Sequence, residues 1–165
     1  MIHTQHIGFG GGCHWCTEAV FESLKGTSEV EQGFARSEPP YDQWSEAARL
    51  LHDPSVIPLK ALIAVHLHTH SSTSDHPLRQ KYRSAVYVTS QEQGQAATQV
   101  LSALQADWEK PLVTKVLALG AFKLNAPEYL RYYATRPDAP FCRTHISPKL
   151  AKLRRQFSHY LKDPG

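Results

Sequence analysis

Three consecutive glycines, Gly10, Gly11 and Gly12, stand directly in front of Cys13, and an apolar pattern of helical spacing begins directly behind it. A glycine run allows a tight turn and a close approach of backbone to its neighbours. Val20, Phe21 and Leu24 recur at the interval that gives a helix one buried face. Together these features predict a strand over residues 4–9, a glycine turn, and a helix over 14–24 stopped at Gly26. The Cys13 sulfur then sits at a helix N-terminus. Unpaired backbone N–H groups there favour an anion, which lowers a thiol pKa from about 8.5 toward roughly 3.5–7.5. These residues point to nucleophilic or redox sulfur chemistry.

The rest of the chain alternates strand and helix signals. Residues 29–35 and Glu46 to Leu51 read as strands, separated by the breaker Ser37-Glu38-Pro39-Pro40. Pro58 suits a first helical turn, with Leu59, Leu62, Ile63 and Leu67 as the buried face. His70 to Asp75 is polar and reads as a surface loop, followed by a strand over Arg83 to Val88. Ser90 is a candidate N-cap for a helix running to about Trp108. Val113 to Leu119 reads as a strand, and Pro127 opens a short helix carrying Tyr129, Tyr132 and Tyr133. Arg136 to Thr144 reads as an irregular arm around Cys142, and Ser147-Pro148 starts a last helix to about Tyr160. No internal repeat or long linker divides the chain, so residues 1–165 are expected to form a single compact α+β domain.

Composition narrows the function classes. A net charge of +3 is small, and the basic group Lys149, Lys152, Arg154 and Arg155 reads as the solvated face of a terminal helix. The broad basic stripe with aromatic interleaving that nucleic-acid binding needs is missing. No stretch approaches about 18 apolar residues, so no membrane span is expected. The start, Met1 to His6, has neither a basic stretch nor an apolar run, which makes a cytoplasmic location the expectation. Three cysteines in a reducing compartment do not describe a structural disulfide framework, but they suit one nucleophile with resolving partners.

Gly12-Cys13-His14-Trp15 followed by Glu18-Ala19-Val20-Phe21 resembles the active-site signature of the A-type peptide methionine sulfoxide reductases, which carry Gly-Cys-Phe-Trp and then Glu-Ala-hydrophobic-Phe. Further matches follow in the family's order: Glu46-Ala47, Asp53 to Ile57, Tyr82 to Tyr87, Phe141-Cys142 and Ile146 to Leu150. The resemblance extends from about residue 8 to about residue 157. It implies a mixed sheet with a ferredoxin-like core and surrounding helices. The implied activity is thiol-dependent reduction of methionine (S)-sulfoxide in peptides and proteins, with free methionine sulfoxide a further candidate substrate. On this resemblance Cys13 is the nucleophile, Glu46 the acid at the sulfoxide oxygen, and Tyr82 an oxygen-orienting hydroxyl. Tyr41 is the candidate second hydroxyl, although the segment joining it to Glu46 is shorter than in the family. Trp15 would contact the S-methyl group, and His14 stands where the family has Phe, which makes that pocket more polar. Asp75 is the candidate substrate-holding acid. A carboxyl in an apolar pocket has its pKa raised, as a proton donor requires.

Two cysteines compete to resolve the sulfenic acid formed on Cys13, and the resemblance favours Cys142, with relay through Cys16 as the alternative. Cys142 holds the position of the family's recycling cysteine, and Cys16 lies one helical turn away, as in dithiol motifs. The resemblance implies no metal or organic cofactor, a thioredoxin or similar dithiol as reductant, and a monomer as the simplest assembly. Three other readings remain open. Cys13-His14-Trp15-Cys16 alone matches a thioredoxin-like oxidoreductase motif. His66, His68, His70 and His76 could join Cys13 and Cys16 around a metal. A diverged homologue could also bind oxidised methionine without turning it over.

Overall fold

The computed structural model describes residues 4–75 and 77–162. β1 (Gln5–Gly10), α1 (His14–Glu22), β2 (Thr27–Arg36), β3 (Ser45–His52), α2 (Leu59–His68) and β4 (Ala85–Val88) follow in the order strand, helix, strand, strand, helix, strand. They assemble as β4-β1-β3-β2 with every neighbouring pair antiparallel. This is the split βαβ arrangement of a ferredoxin-like core. Both edges are then extended. α3 (Gln91–Leu104) leads to β5 (Lys115–Ala118), which lies parallel to β4, and β6 (Ala121–Leu124) pairs with the outer side of β2. The result is a mixed six-stranded sheet in an α+β fold.

Side-chain alternation decides which face each helix covers. Ile7, Phe9, Leu50, Val86 and Val88 form one sheet face, and Val20, Phe21 and Leu24 together with Leu62, Ile63 and Leu67 pack onto it from α1 and α2. Ala35, Ala47, Ala85 and Tyr87 occupy the other face under Leu117, Leu119 and Phe122. Burying side chains of this size contributes about 1.5–3 kcal/mol each, so the face that meets α1 and α2 dominates the fold. Ser90 caps α3 by accepting the Gln93 N–H at 3.1 Å. That helix ends at Leu104, earlier than the expected Trp108, and passes into a single 3-10 turn.

Three segments differ from their sequence-based expectation. β6 was not anticipated, because four residues carry little periodicity and the strand exists only through pairing with β2. His70 to Asp75 is not a plain surface loop. Ser72 is buried, donates to the Leu67 carbonyl at 3.0 Å, and accepts the Val113 N–H through its own carbonyl. The arm around Cys142 is not irregular either. Cys142–Ile146 forms a wide π-helical turn that runs into α5 (Ser147–Gln156), preceded by the short α4 (Tyr132–Thr135). Cys142 and Ile146 are both fully buried against Cys16 and Ala19 of α1, and that contact winds the segment.

Gly33 of β2 lets β6 approach. A Cβ there would lie 2.0 Å from the Lys123 carbonyl oxygen. Gly33→Ala is therefore expected to cost about 1–3 kcal/mol of stability, measured by denaturant unfolding. Amide exchange should accelerate first in β6.

Candidate active site

The glycine run is needed because two other segments press against it. A Cβ on Gly10 would stand 2.8 Å from the Arg83 carbonyl oxygen, and one on Gly11 would stand 2.5 Å from the His70 ring. β1 can leave the sheet only through this gap. It delivers Cys13 as the N-cap of α1, whose carbonyl accepts the Cys16 and Thr17 N–H groups at 3.1 and 3.2 Å. The Cys13 thiol is held below its ordinary value, chiefly because Cys16, one turn on, offers its S–H to the Cys13 sulfur. Burial opposes this, the N–H groups of Trp15 and Cys16 reinforce it, and the charge of Glu46 opposes it. Cys16 is correspondingly pushed far up, by that same bond to Cys13 and then by burial.

Glu46 reaches the same helix end from β3. Its Oε1 accepts the His14 N–H at 3.2 Å, and its Oε2 lies 3.8 Å from Lys81 Nζ. Glu46 is 7 % exposed. Its position depends on a seam between β3 and the segment before β4. The Glu46 N–H donates to the Lys81 carbonyl at 2.9 Å, Ser45 Oγ donates to the same carbonyl at 3.0 Å, and the Arg83 N–H donates to Ser45 Oγ at 2.7 Å. That seam also fixes Tyr82, which lies between Lys81 and Arg83. Tyr82, Gly11, Gly12, Cys13, His70 and Lys149 line a hollow of about 310 Å³. Cys13, Glu46 and Tyr82 therefore meet at one end of α1, with Tyr82 and Cys13 as walls of the hollow and Glu46 beside it.

The other expected site residues are distributed differently. Tyr41 and Asp75 line a separate hollow of about 200 Å³ with Arg79 and Arg83, and are not walls of the one at Cys13. Trp15 is not a wall of that hollow either. It stacks on Tyr132 at 4.0 Å and meets the edge of Phe141 at 5.3 Å, under the C-terminal arm. The His14 ring is buried behind Glu46. Its Nδ1 lies 2.8 Å from the Gly33 carbonyl oxygen, and its Nε2 lies 3.4 Å from Glu46 Oε1 and 3.2 Å from the Asn125 amide nitrogen. Cys142 packs against Cys16 in the cluster that also holds Trp15, and all three cysteines are free thiols.

Of the histidines that could have joined a metal site, His66 and His70 stack at 4.2 Å and line one cleft with Cys13 and Cys16, but among the described residues no group of three or more His, Cys, Asp or Glu is placed to hold a metal ion. His66 Nε2 donates to the Gly10 carbonyl at 2.8 Å, whereas the His68 ring lies against Trp108 and Phe157. His76 lies outside the described residues.

Two residues at the hollow, His70 and Lys149, were given no part in the sulfoxide site from sequence. His70 donates from Nδ1 to the His66 carbonyl and accepts at Nε2 from Ser84 Oγ at 2.7 Å. Burial pulls its pKa down to about 4, so it is a neutral wall. Lys149 reaches in from α5 and donates to the Thr69 carbonyl. It was grouped with the solvated face of the last helix, yet Lys149, Lys152 and Leu153 share one helical face and Leu153 is fully buried. Reading that spacing would have separated these two lysines from the exposed Arg154 and Arg155.

Removing the S–H donor should return Cys13 toward ordinary thiol behaviour. A hydrogen bond to a charged group is worth about 1.5–3 kcal/mol, and one pH unit corresponds to about 1.4 kcal/mol. In Cys16→Ala the midpoint for alkylation of Cys13 by iodoacetamide should therefore rise by about 1–2 pH units. Cys16→Ser, which keeps a donor, should shift it less.

The family described as peptide methionine sulfoxide reductase matches residues 5–161. A Thermus thermophilus peptide methionine sulfoxide reductase MsrA is 33% identical over 166 residues, covering 92% of this chain and 94% of that protein. Among solved structures, reduced Mxr1 of Saccharomyces cerevisiae superposes with a TM-score of 0.70 at 18% identity, covering 88% of this chain and 95% of Mxr1. Mxr1 in complex with Trx2 superposes with a TM-score of 0.59 at 19% identity, covering 78% of this chain and 84% of Mxr1. Every element from β1 to α5 lies inside the matched range, and the chain belongs to the peptide methionine sulfoxide reductase family.

Proposed function

We propose that this enzyme reduces methionine (S)-sulfoxide to methionine, with Cys13 as nucleophile and Glu46 as proton donor. The observation that carries these roles is the pairing of a thiolate-favouring sulfur and a buried carboxyl on the first turn of one helix. The Cys13 thiolate attacks the sulfoxide sulfur while the carboxyl protonates the oxygen, and the hydroxyl then passes from the substrate sulfur to Cys13 as the new S–S bond breaks and methionine leaves. Thiolate, sulfoxide and carboxylic acid become sulfenic acid, methionine and carboxylate, so atoms and charge balance. The Tyr82 hydroxyl, on the wall of the same hollow, orients the oxygen.

Cys16 then resolves the sulfenic acid. Its thiol and Cys13–SOH give a Cys13–Cys16 disulfide and water. Cys142, packed against Cys16, takes over that disulfide by attacking the Cys16 sulfur and releasing the Cys13 thiol. An external dithiol completes the cycle. A thioredoxin suits this role, since Mxr1, which shares the fold, has been solved in complex with Trx2. No step calls for a metal or organic cofactor. Every group assigned a role comes from one chain, so a monomer suffices, and the free thiols suit the reducing cytoplasm. A plain dithiol oxidoreductase would leave the carboxyl and the hollow beside Cys13 without a use.

Cys13→Ser should abolish reduction of S-sulfoxide peptides while leaving the circular-dichroism spectrum unchanged; retained turnover would eliminate the assignment. Mass spectrometry of Cys142→Ser after one turnover should find Cys13 joined to Cys16. Sulfenic acid left unresolved in that variant would instead make Cys142 the resolving thiol.

A further inference from the structure

Lys149 is a half-buried ammonium facing sulfur. It lines the hollow with Cys13, and it also lines a narrow cleft of about 40 Å³ that contains both Cys13 and Cys16. Among the described residues its hydrogen bond goes to the Thr69 carbonyl at the C-terminal end of α2. Among the described residues no carboxylate lies within ion-pair distance of it. One turn on, Lys152 makes the equivalent bond to the His68 carbonyl at 2.8 Å. Two lysines therefore tie α5 to the end of α2, and only Lys149 is a wall of the hollow and cleft at the cysteines.

Resting on the assignment of Cys16 as the resolving thiol, we infer that Lys149 makes Cys16 nucleophilic after Cys13 has been oxidised and not before. In the reduced enzyme the Cys16 proton is held by the Cys13 thiolate, by burial and by the negative charge of that sulfur, and Lys149 is the cation that opposes them. Attack on the sulfoxide turns Cys13 into a neutral sulfenic acid. The bond that retained the Cys16 proton is then lost together with the negative charge, while the ammonium stays. Cys16 ionises, its thiolate attacks the Cys13 sulfur, the S–O bond breaks, and the hydroxyl leaves as water with the proton Cys16 gave up. Cys16–SH and Cys13–SOH thus become a disulfide and water, with no outside oxidant. The remaining titratable groups facing this corner do not substitute for Lys149: Lys81, the other cation that faces Cys13, is exposed and lies 3.8 Å from Glu46 Oε2. His66 and His70 are kept neutral by burial. Arg79 is occupied by the carbonyls of Ser71, Ser74 and Tyr82, and the charges of Cys142 and Glu46 oppose thiolate formation at Cys16 and Cys13 respectively. Lys149 is a positioning residue in this scheme, acting through Cys16.

Lys149→Gln removes the charge and keeps a donor for the Thr69 carbonyl. In single-turnover reduction of an S-sulfoxide peptide, methionine formation should proceed and disulfide formation should slow. A one-unit rise in the Cys16 pKa lowers thiolate about tenfold and returns about threefold in nucleophilicity, so a loss of roughly three- to tenfold is expected. The pH dependence of the disulfide step should move about one unit upward, and dimedone should trap Cys13–SOH. Lys149→Arg should restore the rate, and Lys152→Gln should leave it unchanged. A Lys149→Gln disulfide rate and pH profile matching wild type would overturn the inference. So would equal slowing in Lys152→Gln, since the lysines would then only secure α5. Absence of methionine formation in wild type would instead overturn the proposed function, and a wild-type disulfide from Cys13 directly to Cys142 would overturn the assignment of Cys16.

Discussion

The first turn of α1 has backbone N–H groups with no partner inside the helix, and the site depends on how they are shared. The His14 N–H is taken by the Glu46 carboxyl at 3.2 Å, that of Trp15 favours the anionic Cys13 sulfur, and that of Cys16 favours it as well while donating to the Cys13 carbonyl at 3.1 Å. One helix end therefore serves a sulfur and a carboxyl together. Two negative charges there oppose each other, and the charge of Glu46 pushes the Cys13 thiol up.

A second set of buried polar contacts holds the C-terminal arm over this helix. Glu18, 1 % exposed, accepts the Arg131 and Tyr132 N–H groups at 2.8 and 3.1 Å and the Gln32 amide at 3.0 Å. Gln32 in turn accepts from Asn125 at 2.7 Å, and Asn125 faces the His14 ring. These hydrogen bonds oppose, without cancelling, the desolvation that pushes Glu18 up. The stack of Trp15 on Tyr132 closes the same contact from the apolar side. The arm is thus docked by both polar and aromatic contacts, and Cys142 is buried by that docking. His14 fits the polar network where a phenylalanine could not: its Nδ1–H satisfies the Gly33 carbonyl, and its Nε2 meets Asn125.

Much of this was legible in the order of residues. The glycine turn, the cysteine at the head of a helix, Ser90 as a cap and the core faces of α1 and α2 follow from spacing and local chemistry. β6 was not legible because its stability comes from pairing with β2 and from nothing in its own four residues. The π-helical turn at Cys142 owes its shape to burial against Cys16 and Ala19. Polar residues such as His70 and Ser72 read as a surface loop, since sequence does not reveal that the carbonyls ending α2 and the Ser84 hydroxyl would meet them inside.

By itself the sequence determined the family, the βαββαβ order and the place of Cys13 at the head of a helix, because each depends on near neighbours along the chain: a turn, a cap, a helical period. Only the tertiary structure decided that Glu46 and Tyr82 join Cys13 while Tyr41 and Asp75 line another hollow, that Trp15 lies under the arm, and that Lys149 faces the cysteines. Those outcomes depend on how segments far apart in the chain pack, and on which buried polar groups find partners once water is excluded.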